Sequence, residues 1–419
     1  MTPRYDVAII GAGPVASALA LLLARLARDP ARIALTGDPL AGSPAAGSPA
    51  AGSPAARNSV SGSPAAASLA PSSRTVDVPG TGAADPRTLA MNEGSRRLLA
   101  DLQAWPARCA TIQTIHVSQS GRLGRTCIKH TDFGVAALGH VAAYVDLREA
   151  LAAPLHASGV TRIDAIDVVA LRQTDAGVHW GDGPEASCRI AVLADGAGAA
   201  ADVTREYGQS AVLATVRATQ PRSHWAWERF RREGPLAILP HPDGHDRYAV
   251  VWCCRSADAD RLKHLDADVF SAELTAAFGE RLGRLQAVGA RHVYPLALKA
   301  RRHPVEGRIV AVGNAAQSLH PVAGQGLNLG LRDAAQLAQV LGPWLGGQPV
   351  DAADVLSTYA AKRKLDRTIT GGLTDIMPRA FSTGWPVVEH LGGTVLLALD
   401  LSSSLRTPLA RQLLYGTRS

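Results

Sequence analysis

Residues 308–341, RIVAVGNAAQSLHPVAGQGLNLGLRDAAQLAQVL, narrow what this chain can fold into more than any other stretch. The apolar run Ile309–Val312 is long enough for a buried parallel strand, and Gly313 breaks it. His320 precedes Pro321 and is pushed towards an extended backbone, so the pair predicts a loop. Gly324-Gln325-Gly326 then opens a helical pattern with Leu327, Leu331, Ala334, Leu337, Ala338 and Leu341 on one face. Gly342-Pro343 is expected to stop that helix. Glycines at such a turn let the backbone approach a flat ligand without Cβ collisions. The first helical N–H groups have no partner inside the helix, and the dipole there favours negative charge.

A second unit of this kind lies near the N-terminus. Val7–Ile10 reads as a buried strand, followed by Gly11-Ala-Gly13-Pro-Val-Ala16 and an Ala/Leu-rich helix to about Leu26. This is a G-x-G-x-x-A dinucleotide fingerprint: Gly11 for the tight turn, Gly13 for approach of a pyrophosphate, Ala16 for close helix–strand packing. Pro14 suits the first helical turn. Ile33–Thr36 is expected as the second strand, with Asp38 the candidate acid for the adenosine ribose. Arg189–Ala194 reads as a further strand ending in Asp195-Gly196, an acid at a strand's carboxyl end beside a glycine turn.

Around Gly313 the sequence resembles the second flavin motif of the flavoprotein aromatic hydroxylases. The matching residues are Gly313-Asn314-Ala315-Ala316-Gln317, Pro321, Gly324-Gln325-Gly326, Asn328, Gly330 and Asp333-Ala334. Asn314 stands where the broad pattern has Asp, and Gln317 where it has His; both resemble the branch that hydroxylates ubiquinone precursors. The Asn314 amide can still accept a hydrogen bond, and also donates. Arg87-Thr88-Leu89-Ala90 is similar to the family segment whose arginine approaches the flavin, and Trp227–Phe230 with Gly234–Pro240 extends the likeness.

That resemblance implies an α/β fold like para-hydroxybenzoate hydroxylase. It has a discontinuous Rossmann-like FAD domain, an inserted, mostly antiparallel β substrate domain and C-terminal helices. The boundaries expected are 1–40, 84–110, 140–205 and 300–345 for the FAD domain, 111–139 and 206–299 for the substrate domain, and 346–419 for the C-terminal helical region. The implied cofactor contacts are Gly11, Gly13, Ala16, Asp38, Arg87, Asp195, Gly313, Asn314, Gly324 and Asn328, with Pro321, Gln325 and Gly326 at the reacting edge. A reduced flavin is negative at its N1–C2=O edge, which the N-terminus of a helix starting near Leu327 would stabilise. FAD is the implied cofactor, NAD(P)H the reductant and O2 the co-substrate. Oxygen adds at flavin C4a, and the hydroperoxide hydroxylates a polyprenylated phenol of ubiquinone biosynthesis. A soluble phenol on the same scaffold, or a non-catalytic flavin-fold subunit of a biosynthetic complex, are the alternatives.

The remaining sequence sets limits. With 419 residues the chain has room for two domains or more, and 47% hydrophobic content fits a folded protein rather than a disordered one. Residues 41–83 differ: GSPAA recurs at Gly42, Gly47, Gly52 and Gly62, with almost no large apolar side chain. Such a segment cannot bury enough surface to offset its ordering entropy and is expected to be a disordered insertion. The charge of 43 − 36 = +7 suits a solvated arginine-rich surface, and no basic cluster with interleaved aromatics points to nucleic acid. Five cysteines without a C-x-x-C pair argue against a disulfide framework and a zinc site, and His241-Pro-Asp243-Gly244-His245 reads as a turn. A cytoplasmic setting is expected, with peripheral membrane contact at most, because Val15–Ala24 falls short of a spanning helix. The apolar stretch Pro386–Leu401 is expected to pack on the core or meet a membrane or partner. Trp225, Trp227, Phe230, Tyr248, Trp252 and Tyr294 are expected to be core more than ligand wall.

Overall fold

The computed structural model describes residues 3–37, 85–121, 124–196, 201–321 and 324–380, with isolated positions beyond, and no side chain at 373 or 377–380. Asp38, the insertion at 41–83 and nearly all of the apolar stretch at 386–401 lie outside the described residues.

The first sheet is the α/β body. Its order is β17 (Val305–Glu306), β18 (Ile309–Ala311), β11 (Ser187–Leu193), β1 (Tyr5–Ile10), β2 (Ile33–Thr36) and β8 (Thr161–Ile163), with β10 (Val178–His179) and β9 (Arg172–Gln173) attached to β11. The run from β18 to β8 is parallel. Parallel strands are covered on both faces, which is why Val7–Ile10 and Ile33–Leu35 are apolar without alternation and fully buried. Helices α1 (Pro14–Leu26), α3 (Tyr144–Ala157) and α6 (Gln325–Leu345) join that core through Leu19, Leu23, Leu147, Leu151, Leu337 and Leu341. The start of α7 (Ala352–Ala380) closes it with Leu356 and Tyr359.

The second sheet has the order β19 (Gln317–Ser318), β16 (Leu285–Ala300), β12 (Val203–Ala218), β15 (Gly244–Arg255), β14 (Leu236–His241), β13 (Trp225–Phe230), β5 (Thr114–Gln119) and β6 (Arg125–Lys129). All its pairs are antiparallel except β13 with β5. Helices α4 (Ser256–His264) and α5 (Ala267–Phe278) cover one face, burying Trp227, Tyr248 and Trp252 against Phe270, Leu274 and Phe278. The expected turn at His241–His245 is the hairpin joining β14 to β15. A small sheet of β3 (Thr88–Asn92), β7 (Gly139–Ala143) and β4 (Ala110–Ile112) lies between the two bodies, with α2 (Glu93–Asp101) following β3.

One local expectation is corrected. Helix α6 runs through Gly342-Pro343 to Leu345, because burying Trp344 and Leu345 in the core outweighs the helix-breaking pair. Helix α7 runs to Ala380 through Gly371-Gly372, where buried Thr370 and Thr374 hold it against the body. Among the described residues, no helix is long and apolar enough to cross a membrane.

Candidate flavin site

The carboxyl ends of β2, β1, β11 and β18 are neighbours, and each is followed by a glycine turn. Gly11 has φ +129°, and a Cβ there would lie 2.8 Å from the backbone of Ala194 and Asp195. The first two turns therefore touch through backbone, which only glycine permits. The Gly11 N–H donates to Thr36 Oγ1 (2.9 Å), tying the end of β2 to the same place. Gly13 caps α1 in extended conformation without a side-chain cap, and a Cβ built on it would meet nothing within 4 Å. Ala16 is fully buried against the sheet.

The third turn is placed by the second. Gly196 lies so close to Asn314 that a Cβ would sit 2.6 Å from the Asn314 Cβ. Asn314 and Asp195 are both exposed at this end of the sheet. Gly313, at φ +59°, donates its N–H to Asp333 Oδ2 (3.0 Å). Gly330 of α6 passes under the same turn: a Cβ there would lie 2.7 Å from Val15 Cγ2 and 3.1 Å from Gly313 Cα. Helices α1 and α6 can thus approach each other only through glycine.

At the mouth of α6, Gly324 takes φ +58° against Ala90, and its N–H donates to the Pro321 carbonyl (3.0 Å). Gln325 begins the helix and is buried, while Pro321 is half-buried. A Cβ on Gly326 would find only Asn314 Oδ1, at 4.0 Å. Asn328 fastens this turn to β3 and α2. Its Oδ1 accepts from Asn92 N–H (2.9 Å) and Ser95 Oγ (2.7 Å), and its Nδ2 donates to the Ala90 (2.9 Å) and Gly324 (2.7 Å) carbonyls. Each helix thus has a glycine facing open space at its N-terminal end, Gly13 at the cap of α1 and Gly326 in the first turn of α6. That arrangement fits a cofactor with a diphosphate and a flat ring.

Arg87 lies just before β3. Its guanidinium is paired with Asp85 (Nε–Oδ1 2.9 Å) and stacks over the Tyr144 ring at 4.6 Å. Tyr294 is half-buried nearby; burial, and then the Asp85 carboxylate, raise its phenol above its usual range. Beside Arg87 a small cleft opens between Pro86, Thr88 and the second sheet, lined by Leu213, Thr215, Val251 and His292 among others, polar and apolar in about equal measure. Burial pushes the His292 imidazole below its usual range.

One set of contacts behind the site is announced by no motif. Arg363 of α7 is buried with Asp333 (Nε–Oδ1 2.8 Å) and Asp366 (Nη1–Oδ2 2.7 Å), and Arg332 adds a bond to Asp366 (3.0 Å). Arg367 donates to Gln317 Oε1 (3.2 Å) and to the Ala316 (3.2 Å) and Arg301 (3.1 Å) carbonyls. Helix α7 thereby grips the Gly313–Gln317 turn from behind.

The fold and these turns define an α/β dinucleotide-binding protein with an inserted sheet. Residues 140–367 match the family model described as an FAD binding domain. The chain is 39% identical over 226 residues to ubiquinone hydroxylase UbiL of Rhodospirillum rubrum, covering 51% of this chain and 52% of that one. The match thus spans about half the length of that relative. It is 32% identical over 323 residues to an uncharacterized protein of Synechocystis, covering 72% and 76%. In structure it is similar to p-nitrophenol 4-monooxygenase from Pseudomonas putida, with a TM-score of 0.68 at 14% identity over 100% of both chains. The chain belongs to the FAD-binding domain family, and its fold is that of the para-hydroxybenzoate hydroxylase-like flavoproteins, as expected.

Proposed function

We propose that this protein is an FAD-dependent monooxygenase, reduced by NAD(P)H and using O2, that hydroxylates the ring of a polyprenylated phenol in ubiquinone biosynthesis. The observation that carries the reading is the pair of glycines at two helix N-terminal ends, Gly13 and Gly326, where a Cβ would stand in open space. The first would take the diphosphate and the second the anionic edge of a reduced ring. When bound, the flavin supplies the redox chemistry and the activation of oxygen. The chain's own part is to bind, orient and exclude water. Strand β3 links the cofactor turn to the cleft, since Ala90 packs on Gly324 and Thr88 lines the cleft. The likeness to the R. rubrum ubiquinone hydroxylase favours a lipophilic quinone precursor over a soluble phenol.

The purified protein is expected to be yellow with non-covalent FAD. A prenylated phenol should stimulate its NAD(P)H oxidation and acquire one oxygen atom from labelled O2. A colourless protein that takes up no FAD sinks the whole reading. Flavin binding with stimulation by p-nitrophenol but not by prenylated phenols sinks the substrate class alone.

A further inference from the structure

The face of the second sheet covered by α4 and α5 holds a group of cations that the flavin site does not use. Ser118 of β5 is in register with Arg125 of β6 and with Arg229 of β13, so the three side chains form a row on one face. Two residues along the same face, His116 is in register with Cys127 and Trp227. Trp227 packs edge-on against Phe278 at the end of α5, and the chain then passes through Arg281 before β16. Followed through the register, Leu213, Val251, Ala237, Glu228 and Val117 share the opposite face, so the row points away from the cleft beside Arg87.

Among the described residues these cations have no counter-ion. Among the described residues, Arg125, Arg229 and Arg281 have no ion pair and no side-chain hydrogen bond. Arg229 Nε is buried without a partner. His116 is only 6% exposed, and its Nδ1 is likewise buried and unpartnered. Burial first, then Arg281, Arg125 and Arg229, hold the His116 imidazole below its usual range. Burial, then Arg281 and Arg231, do the same to Arg229. Arg231 has its own partner in Glu233 (3.4 Å), and the Asp400 carboxylate beside β6 accepts from the Cys127 amide (3.1 Å). Like charges gathered at a partly buried place repel, and an unpaired buried donor costs free energy; a bound anion relieves both.

We propose that Arg125, Arg229, Arg281 and His116 form a phosphate-binding site on the helix-covered face of the second sheet. Guanidinium groups match phosphate oxygens in a planar fork, and the imidazole adds a donor from the buried side. The phosphate could be free or the headgroup of an anionic lipid, and the two sources are separable.

The test uses FAD-loaded protein, so that the flavin site is filled. Inorganic phosphate is titrated by calorimetry, and sedimentation is followed with phosphatidylcholine vesicles with and without phosphatidylglycerol. Saturable phosphate binding that weakens about tenfold in Arg281→Ala, the loss of one charge-assisted bond, supports the site with a soluble ligand. Binding only to phosphatidylglycerol vesicles, lost in Arg281→Ala, supports it with a lipid headgroup. Flavin absorbance stays unchanged in that variant, since Arg281 is exposed and apart from the turns. Absence of both kinds of binding overturns the proposal, as does binding that Arg281→Ala and Arg229→Lys leave intact.

Discussion

A Cβ atom divides the glycines around the two helix starts into two kinds. At Gly11, Gly196 and Gly330 it would collide with packed protein at 2.8, 2.6 and 2.7 Å; at Gly13 it would meet nothing within 4 Å, and at Gly326 only one atom at 4.0 Å. The first kind lets secondary structure close; the second leaves room for something outside the chain. Gly330→Ala should therefore destabilise the apoprotein by about 1–3 kcal/mol, the usual range for overpacking. Gly326→Val should leave the apoprotein close to wild-type stability yet weaken FAD at least about tenfold, because the branched side chain fills the ligand's place. Urea unfolding of apoprotein beside FAD titration checks both. Equal destabilisation by the two variants, with FAD affinity intact in Gly326→Val, would remove Gly326 from the flavin site.

Helix α7 acts at the next scale, as a buttress. Arg363 is 4% exposed, and its partners Asp333 and Asp366 are 0% and 1% exposed, so none of the three is relieved by water. Arg363→Met would leave two buried carboxylates short of their main cation, at a cost of about 3–5 kcal/mol. It would also slacken the Asp333 bond to the Gly313 N–H, so flavin should be released at lower urea than the bulk unfolding transition. Simultaneous loss of flavin and fold at an unshifted midpoint would rule this out. The glycine-tipped strands and the start of α6 were legible in the sequence because their signals are local: an apolar run, a glycine, a helical period. The grip of α7 was not, because Asp333 and Arg363 meet across separate helices and no local spacing joins them. The same holds for the end of α6, where Gly342-Pro343 reads as a stop and only the packing of Trp344 and Leu345 says otherwise. Nor did the cation row show itself, since its members come from three strands and a turn.

At the scale of the whole molecule, His320 marks the junction of the two bodies. It is 1% exposed, edge-on to Tyr207 of β12 at 5.2 Å, with Nε2 3.5 Å from Gln209 Oε1. Asp375 of α7 accepts from the Tyr207 hydroxyl (3.0 Å) and Arg205 (2.6 Å) beside it. Burial pushes the His320 imidazole down to about 4, against the pull of Asp375. As pH falls below the ordinary value of 6.5 the unfolded chain takes a proton that the folded one refuses until about 4, so stability is intact above that window and declines through it. The decline attributable to His320 is about 2–3 kcal/mol by its lower end. Unfolding free energies measured across the window should fall less steeply for His320→Gln than for wild type; parallel slopes would assign the acid sensitivity elsewhere. The order of strands in the first sheet has one more consequence, for a chain still on the ribosome. The turn at Gly11–Gly13 is made early, but the backbone of Ala194 and Asp195 that floors it, the facing turn at Gly313 and the buttress at Arg363 emerge much later. A nascent chain thus carries the Gly11–Gly13 turn without its floor and a central strand, β1, with one edge unpaired until β11 is made. The complete cofactor site is therefore expected to form only late in synthesis, after the Gly313 turn and Arg363 have emerged.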